Sequence, residues 1–178
     1  MINHELFHHT IMIEAIKKRR AVREYLNQAI PEEKIQEILK AAMFAPSGHA
    51  KYPWEIVVVK DATTKELLSK TTPWSTFAKE AGVILAVIGN EKESPRWIED
   101  CSIVAEHLWL EATAQDLGAC WVQIRDHDNA EKDVRKILNI PAELRVLCLM
   151  AVGVPAKQPE EHTDADFEKN KIKEEKYR

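Results

Sequence analysis

The sequence predicts an α+β protein built in three layers, α/β/α, with helices covering both faces of a central mixed sheet. Three observations lead there. Four short segments, Trp54–Val59, 82–88, 119–124 and 146–154, are apolar almost without interruption, as strands buried on both faces are. Between them lie segments whose apolar residues recur at spacings of three and four, the helical period. The chain has 178 residues, 45% hydrophobic and 30% charged, which suits one soluble domain with a sizeable core. A single domain is therefore expected over 1–178, with 156–178 as a polar C-terminal extension.

Taken in order, residues 11–18 read as a short helix running into the basic cluster Lys17, Lys18, Arg19, Arg20 and Arg23. Ile30-Pro31-Glu32-Glu33 opens the next helix, because proline suits a first turn and acids face the positive end of the dipole. Ile35, Ile38, Leu39, Ala42 and Met43 mark its buried face, and Pro46-Ser47-Gly48 stops it. After the first strand a short helix is expected over 64–69, and Pro73 breaks the segment beyond it. The longest helix is predicted over 97–117, with Ile98, Cys101, Ala105, Leu108 and Ala112 on its stripe and Gly118 as its cap. Asp128 or Asn129 caps a further helix carrying Val134, Ile137 and Leu138, which ends before Pro141.

Several function classes recede at this level. A formal net charge of −4 gives no electrostatic reason for a nucleic-acid or anionic-membrane partner. No stretch approaches the roughly 20 apolar residues of a membrane span, and no leader pattern is evident, so a cytoplasmic protein is expected. Cys101, Cys120 and Cys148 are widely spaced among small or apolar neighbours and read as reduced core thiols. His4, His8 and His9 have helical spacing without the acids of a metal site, so no metal is expected. His107 reads as a packed or surface histidine. Trp74 and Phe77 suit either packing or a substrate cover.

Chemistry is suggested in two places. Arg19, Arg20 and Arg23 follow a helix end, with Ala21 and Val22 between them. Guanidinium forks match phosphate geometry, but cations there also offset a helix dipole, and the residues alone leave both uses open. The second place is Pro46-Ser47-Gly48-His49-Ala50-Lys51-Tyr52-Pro53-Trp54, between an amphipathic helix and an apolar strand. It serves equally as a rigid turn or as a cradle for a polar ligand edge. Gly48, Gly82, Gly89, Gly118 and Gly153 form neither a G-x-G-x-x-G nor a P-loop, so any nucleotide must be held another way.

The ordered set Arg19-Arg20-Ala21-Val22-Arg23, the Pro-Glu-Glu helix, Ala45-Pro46-Ser47, Pro53-Trp54, Leu117-Gly118-Ala119-Cys120-Trp121-Val122 and Val152-Gly153-Val154-Pro155 resembles the nitroreductase family from about Ile16 to Pro155. The Pro-Ser-Gly loop is similar to that of the family's iodotyrosine deiodinase branch. The resemblance implies an intertwined homodimer with FMN at each shared site and NAD(P)H as a transient donor. A nitroaromatic or quinone then takes the electrons through flavin N5 in a ping-pong cycle, with no essential acid–base side chain. It further implies that Arg19, Arg20, Ala21 and Arg23 hold the phosphate and ribityl chain. Pro46, Ser47, Gly48, His49 and Ala50 would approach the ring from the other subunit, and Gln123 and Ile124 would lie near N5, with a backbone amide there bonding to it. The sequence departs from the family where Ala21 replaces a serine, where Ala50 and Tyr52 stand for an Asn and a Gln, and where acids follow Pro155 in place of a basic pair. Lys171 or Lys173 is the expected substitute for that pair. These departures keep two alternatives open, a flavin-binding sensor or carrier and a specialised reductive dehalogenase.

Overall fold

The computed structural model describes residues 12–177; His4, His8 and His9, and the start of the first expected helix, lie outside them. Helix α1 (Glu14–Lys18) is only five residues long. Helix α2 (Glu32–Met43) begins after Pro31 and buries Ile35, Ile38 and Ala42. Strand β1 (Trp54–Val59) comes after the 46–52 loop. Helix α3 (Ala62–Leu68) starts two residues earlier than the sequence suggests, because Asp61 caps it by accepting the Thr64 amide at 2.7 Å.

Strand β2 (Val83–Gly89) has all seven residues buried. Val83, Leu85 and Val87 join a core under α2 and the long helix α4 (Trp97–Ala114). Ile84, Ala86 and Ile88 join a second core under α3 and α5 (Asp128–Leu138). Two-residue alternation thus divides one strand between two hydrophobic cores. Strands β3 (Gly118–Gln123) and β4 (Arg145–Gly153) complete the sheet.

The strand order is β1-β2-β4-β3. Every neighbouring pair is antiparallel, so the sheet proper is not mixed; the parallel pairing is a single bridge between Ala21 and Ala119. The reason is topological. Helix α4 does cross the length of the sheet, yet the strands it joins, β2 and β3, are separated by β4, which runs opposite to both. A bulge in β4 pairs Val87 with Cys148 and Ile88 with Val146, leaving Leu147 as the extra residue. Leu147 and Cys148 consequently face the same core.

Two caps differ from those the sequence suggests. Gly118 does not end α4. Asp116 does, in the left-handed region at φ 61, with Leu117 N–H donating to Ala112 O and Asp116 N–H to Thr113 O. Helix α5 has His127 at its N-cap position rather than Asp128 or Asn129. None of the described helices is long and apolar enough to cross a membrane.

Candidate functional site

The arginine segment is seated by two glycines. Gly118 and Gly153 are register partners across β3 and β4, and together they leave a trough with no side chains. A Cβ on Gly118 would stand 2.7 Å from Val22 Cβ, and one on Gly153 would stand 2.7 Å from the Tyr25 ring. Residues 21–26 lie in this trough. Val22 N–H donates to Ala119 O at 3.0 Å, Leu26 N–H to Val154 O at 2.9 Å, and Ala156 N–H to Glu24 O at 2.9 Å. The buried Tyr25 hydroxyl donates within reach of Val22 O (2.7 Å) and Ala151 O (2.9 Å). Burial holds that phenol well above its usual range, so it stays a donor. The motif singled out for its charge is therefore positioned by the apolar residues inside it.

The extended backbone makes the arginines diverge. Arg20 borders a cleft of about 290 Å³ walled by Lys18, Thr113, Gly118, Pro155 and Glu161. Its Nε donates to Glu160 O at 3.0 Å, and its Nη2 reaches Glu161 O at 3.4 Å and the Asp166 carboxylate at 3.5 Å. Lys17 pairs with Glu161 at 3.0 Å. The acidic stretch after Pro155 thus folds onto the basic cluster. Asp166 is held below the usual carboxylate range by the Thr163 amide first, and then by Arg20 and His162. Arg19 turns instead to α4, with its guanidinium 4.6 Å from the Trp109 ring centre. Arg23 borders another cleft, with Tyr25, Thr76 and Phe77. Ala21 makes the bridge to Ala119.

The second expected group, Pro46 to Ala50, is a strained turn. His49, Ala50 and Tyr52 have φ of 56, 52 and 48°, conformations costing about 1 kcal/mol or more each for residues with a Cβ. The turn is over-determined from below. Gly48 N–H donates to Asp100 Oδ1 at 2.8 Å, while Asp100 Oδ2 accepts from Ser94 at 3.0 Å. Ser47 Oγ accepts from the Lys51 and Tyr52 amides at 3.1 and 2.8 Å. The Gly48 amide is committed to Asp100. Asp100 was not among the residues the sequence singles out, although an acid in the first turn of a helix was a signal.

The third expected group, Gln123 and Ile124, closes β3. Ile124 is fully buried, and its amide donates to Leu147 O at 3.2 Å, as does the Arg125 amide at 3.0 Å. The bulge in β4 therefore engages both of these amides. Gln123 accepts from Trp121 Nε1 at 2.8 Å and donates to Arg125 O at 2.9 Å, so both ends of its amide are engaged. Lys171 is exposed and paired with Glu168, with no bond to the arginine segment.

Helix α4 links the first two groups. Asp100 holds the 46–50 turn, and Thr113 walls the Arg20 cleft. They are 13 residues apart, about 20 Å along a helix. No hydrogen bond or ion pair among the described residues joins the turn to the arginines. At the Arg20 end a guanidinium and Lys18 stand beside the apolar Val22, Leu117 and Pro155, with Asp116 and Glu161 on the same wall; a phosphate-bearing ligand there would take over the Arg20 donors now held by Glu160, Glu161 and Asp166.

Comparison with known proteins identifies the family and the fold. The Nitroreductase family model matches residues 16–72 and 63–154. An FMN-dependent nitroreductase from Clostridium difficile R20291 superposes with a TM-score of 0.90 at 32% identity, covering 93% of this chain and 100% of that one. A relative from Methanothermobacter thermautotrophicus, provisionally named an NADH dehydrogenase/NAD(P)H nitroreductase, is 32% identical over 83% of this chain and 79% of its own. An iodotyrosine deiodinase from Thermotoga neapolitana is 27% identical over 82% of this chain and 89% of its own. The family match spans the trough, the turn and the whole sheet, and the chain belongs to the nitroreductase family.

Proposed function

We propose that this protein is a cytoplasmic FMN-dependent oxidoreductase that passes electrons from NAD(P)H to a small flat acceptor, a nitroaromatic or a quinone. The observation that carries the reading is the trough. Gly118 and Gly153 let Val22 and Tyr25 sit against the sheet, and that seat delivers Arg20 to the mouth of a cleft in a family with FMN-dependent members. FMN, when bound, supplies the redox chemistry. The chain binds and orients. Arg20 and Lys18 meet the phosphate, with Arg23 further along the segment. Val22, Leu117 and Pro155 exclude water from the apolar body of the ligand. In this reading no side chain acts as an essential acid or base, and positioning supplies most of the rate.

The site is completed by a second copy. The 46–50 turn stands about 20 Å from the cleft along α4 and presents His49 and Ala50 outward. Exposed apolar residues flank it and continue onto α1 and α4: Phe44 (72% exposed), Tyr52, Ile13, Ile16 and Ile103. An apolar surface of this kind suits an interface, and a homodimer brings the partner's turn to each cleft.

The test is the visible spectrum of the purified protein, followed without oxygen on adding NADH or NADPH. A flavin spectrum that bleaches is expected, and Arg20→Ala should lose the bound flavin. Full FMN occupancy in that variant would overturn the site. The iodotyrosine deiodinase relative supports a second acceptor class, and reoxidation of the reduced protein by a halogenated phenol but not by a quinone would select it.

A further inference from the structure

Arg96 stands where stability gives no reason for a cation. It occupies the N-cap position of α4, at the positive end of the helix dipole, which disfavours a guanidinium. The side chain is exposed, and among the described residues its guanidinium has neither an ion pair nor a hydrogen bond. Only the backbone is held: the Arg96 N–H donates to Ser94 Oγ at 3.1 Å, and its carbonyl accepts from the Asp100 amide at 2.9 Å. Asp100, four residues on, is the carboxylate a helix would offer such an arginine. Both of its oxygens are already taken, Oδ1 by the Gly48 amide at 2.8 Å and Oδ2 by the Ser94 hydroxyl at 3.0 Å.

The Arg96 stem runs over the 46–50 turn instead. A Cβ on Gly48 would stand 3.1 Å from Arg96 Cδ and 3.8 Å from its Cβ. Asp100 thus ties down the backbone of the turn and leaves the cation above it without a counter-charge. His49 and Lys51, the other basic residues there, are exposed and also form no ion pair among the described residues. We propose that Arg96 selects the electron acceptor, and that the preferred acceptors are flat aromatic compounds carrying a carboxylate. In the homodimer of the reading above, on which this rests, the turn of one copy reaches the cleft of the other. Arg96 travels with that turn, and its planar fork matches a carboxylate. The nicotinamide donor is met differently, because its ring bears an uncharged carboxamide and its nearest phosphate lies across a ribose. A carboxylate on the acceptor is one bond from the ring that the turn approaches.

The experiment compares para-nitrobenzoate with para-nitrobenzamide, which are nearly equal in shape and differ in charge. Dissociation constants are measured by calorimetry on the oxidised holoprotein without a donor, and kcat/KM is measured for each acceptor with NADH or NADPH. Both readouts are taken for wild type, Arg96→Gln and Arg96→Lys. Arg96→Gln should lower the preference for the benzoate about five- to tenfold in both, an effect between an exposed ion pair and a charge-assisted hydrogen bond. Arg96→Lys keeps the charge without the fork and should keep part of the preference, and added salt should erode it in the wild type. Urea unfolding of Arg96→Gln should match or exceed wild type, since the variant removes a cation from the unfavourable end of α4. An unchanged preference in Arg96→Gln overturns the proposal. Equal losses for the two compounds would make Arg96 a support for the turn and overturn it as well. Slower bleaching of the flavin by NADH or NADPH, with the acceptor preference intact, would assign Arg96 to the donor and reject the acceptor role. A protein that takes up no flavin when FMN is supplied refutes the flavin reading itself, a result distinct from these.

Discussion

Replacing Gly118 by alanine adds one methyl group at the point where the arginine segment touches the sheet. The new Cβ would lie 2.7 Å from Val22 Cβ and 2.8 Å from each of its methyl groups. Ordinary apolar contacts begin near 3.5 Å, so the gap must open by about 1 Å. Val22 cannot swing aside. It is β-branched and stiff, it is buried, and all of its side-chain carbons oppose the new methyl. The backbone must move, straining the 3.0 Å bond from Val22 N–H to Ala119 O. Overpacking of this kind costs about 1–3 kcal/mol, and the same shift carries Arg20 out of place. Urea unfolding of the flavin-free protein should show the stability loss, and FMN titration should show at least a tenfold weakening, equivalent to about 1.4 kcal/mol. The double variant Gly118→Ala/Val22→Gly should regain roughly 1 kcal/mol over the sum of the single effects, because it removes the clashing Cβ together with its methyl groups. Wild-type stability and FMN affinity in Gly118→Ala, or strict additivity in the double variant, would refute the trough as the device that seats the arginines.

The charged and thiol groups of the core carry further expected outcomes. Burial alone would raise the Glu131 carboxyl, but hydrogen bonds from Arg145 (2.8 and 2.9 Å) and from the Val146 amide (3.0 Å) hold it below its ordinary 4.5. A depressed folded value stabilises the protein fully above the ordinary glutamate range, and that stability fades as pH falls through the lower folded value. Glu131→Gln should cost about 1–3 kcal/mol at pH 7, since Arg145 keeps its pair with Glu91, and flatten the acid limb of a stability-against-pH curve; an acid limb identical to wild type would disprove the assignment. The three cysteines are free and buried, and burial pushes the Cys101 thiol up to about 12 and Cys148 well above its usual value. At pH 8 only about one Cys101 in 10⁴ is thiolate, so a disulfide thiol reagent should label none of the three quickly in the native protein and all of them in denaturant. Rapid native labelling of Cys101 or Cys148 would contradict their burial.

The sequence by itself determined the elements and the layers. Periodicity located all four strands and the helices to within a few residues, because alternation and helical spacing are local properties of neighbouring side chains. The apolar runs of β2 and β4 already required a sheet covered on both faces, and the arginine and Pro-Ser-Gly motifs, taken together in order, already resembled the nitroreductase family. The contacts between segments distant in the chain were decided only by the tertiary structure. Gly118 looked like a helix cap and is instead the floor beneath Val22. Tyr25, in the middle of the motif, is fixed by the carbonyl of Ala151, 126 residues away. Gly48 is tied to Asp100 across 52 residues, and the Ile124 amide is taken by a bulge in another strand. Three arginines that read as one cluster point to three different surroundings, because an extended backbone sends successive side chains apart. Local patterns are written in the spacing of residues, whereas a close approach between two backbones depends on which strands become neighbours, and the register of the folded sheet settles that.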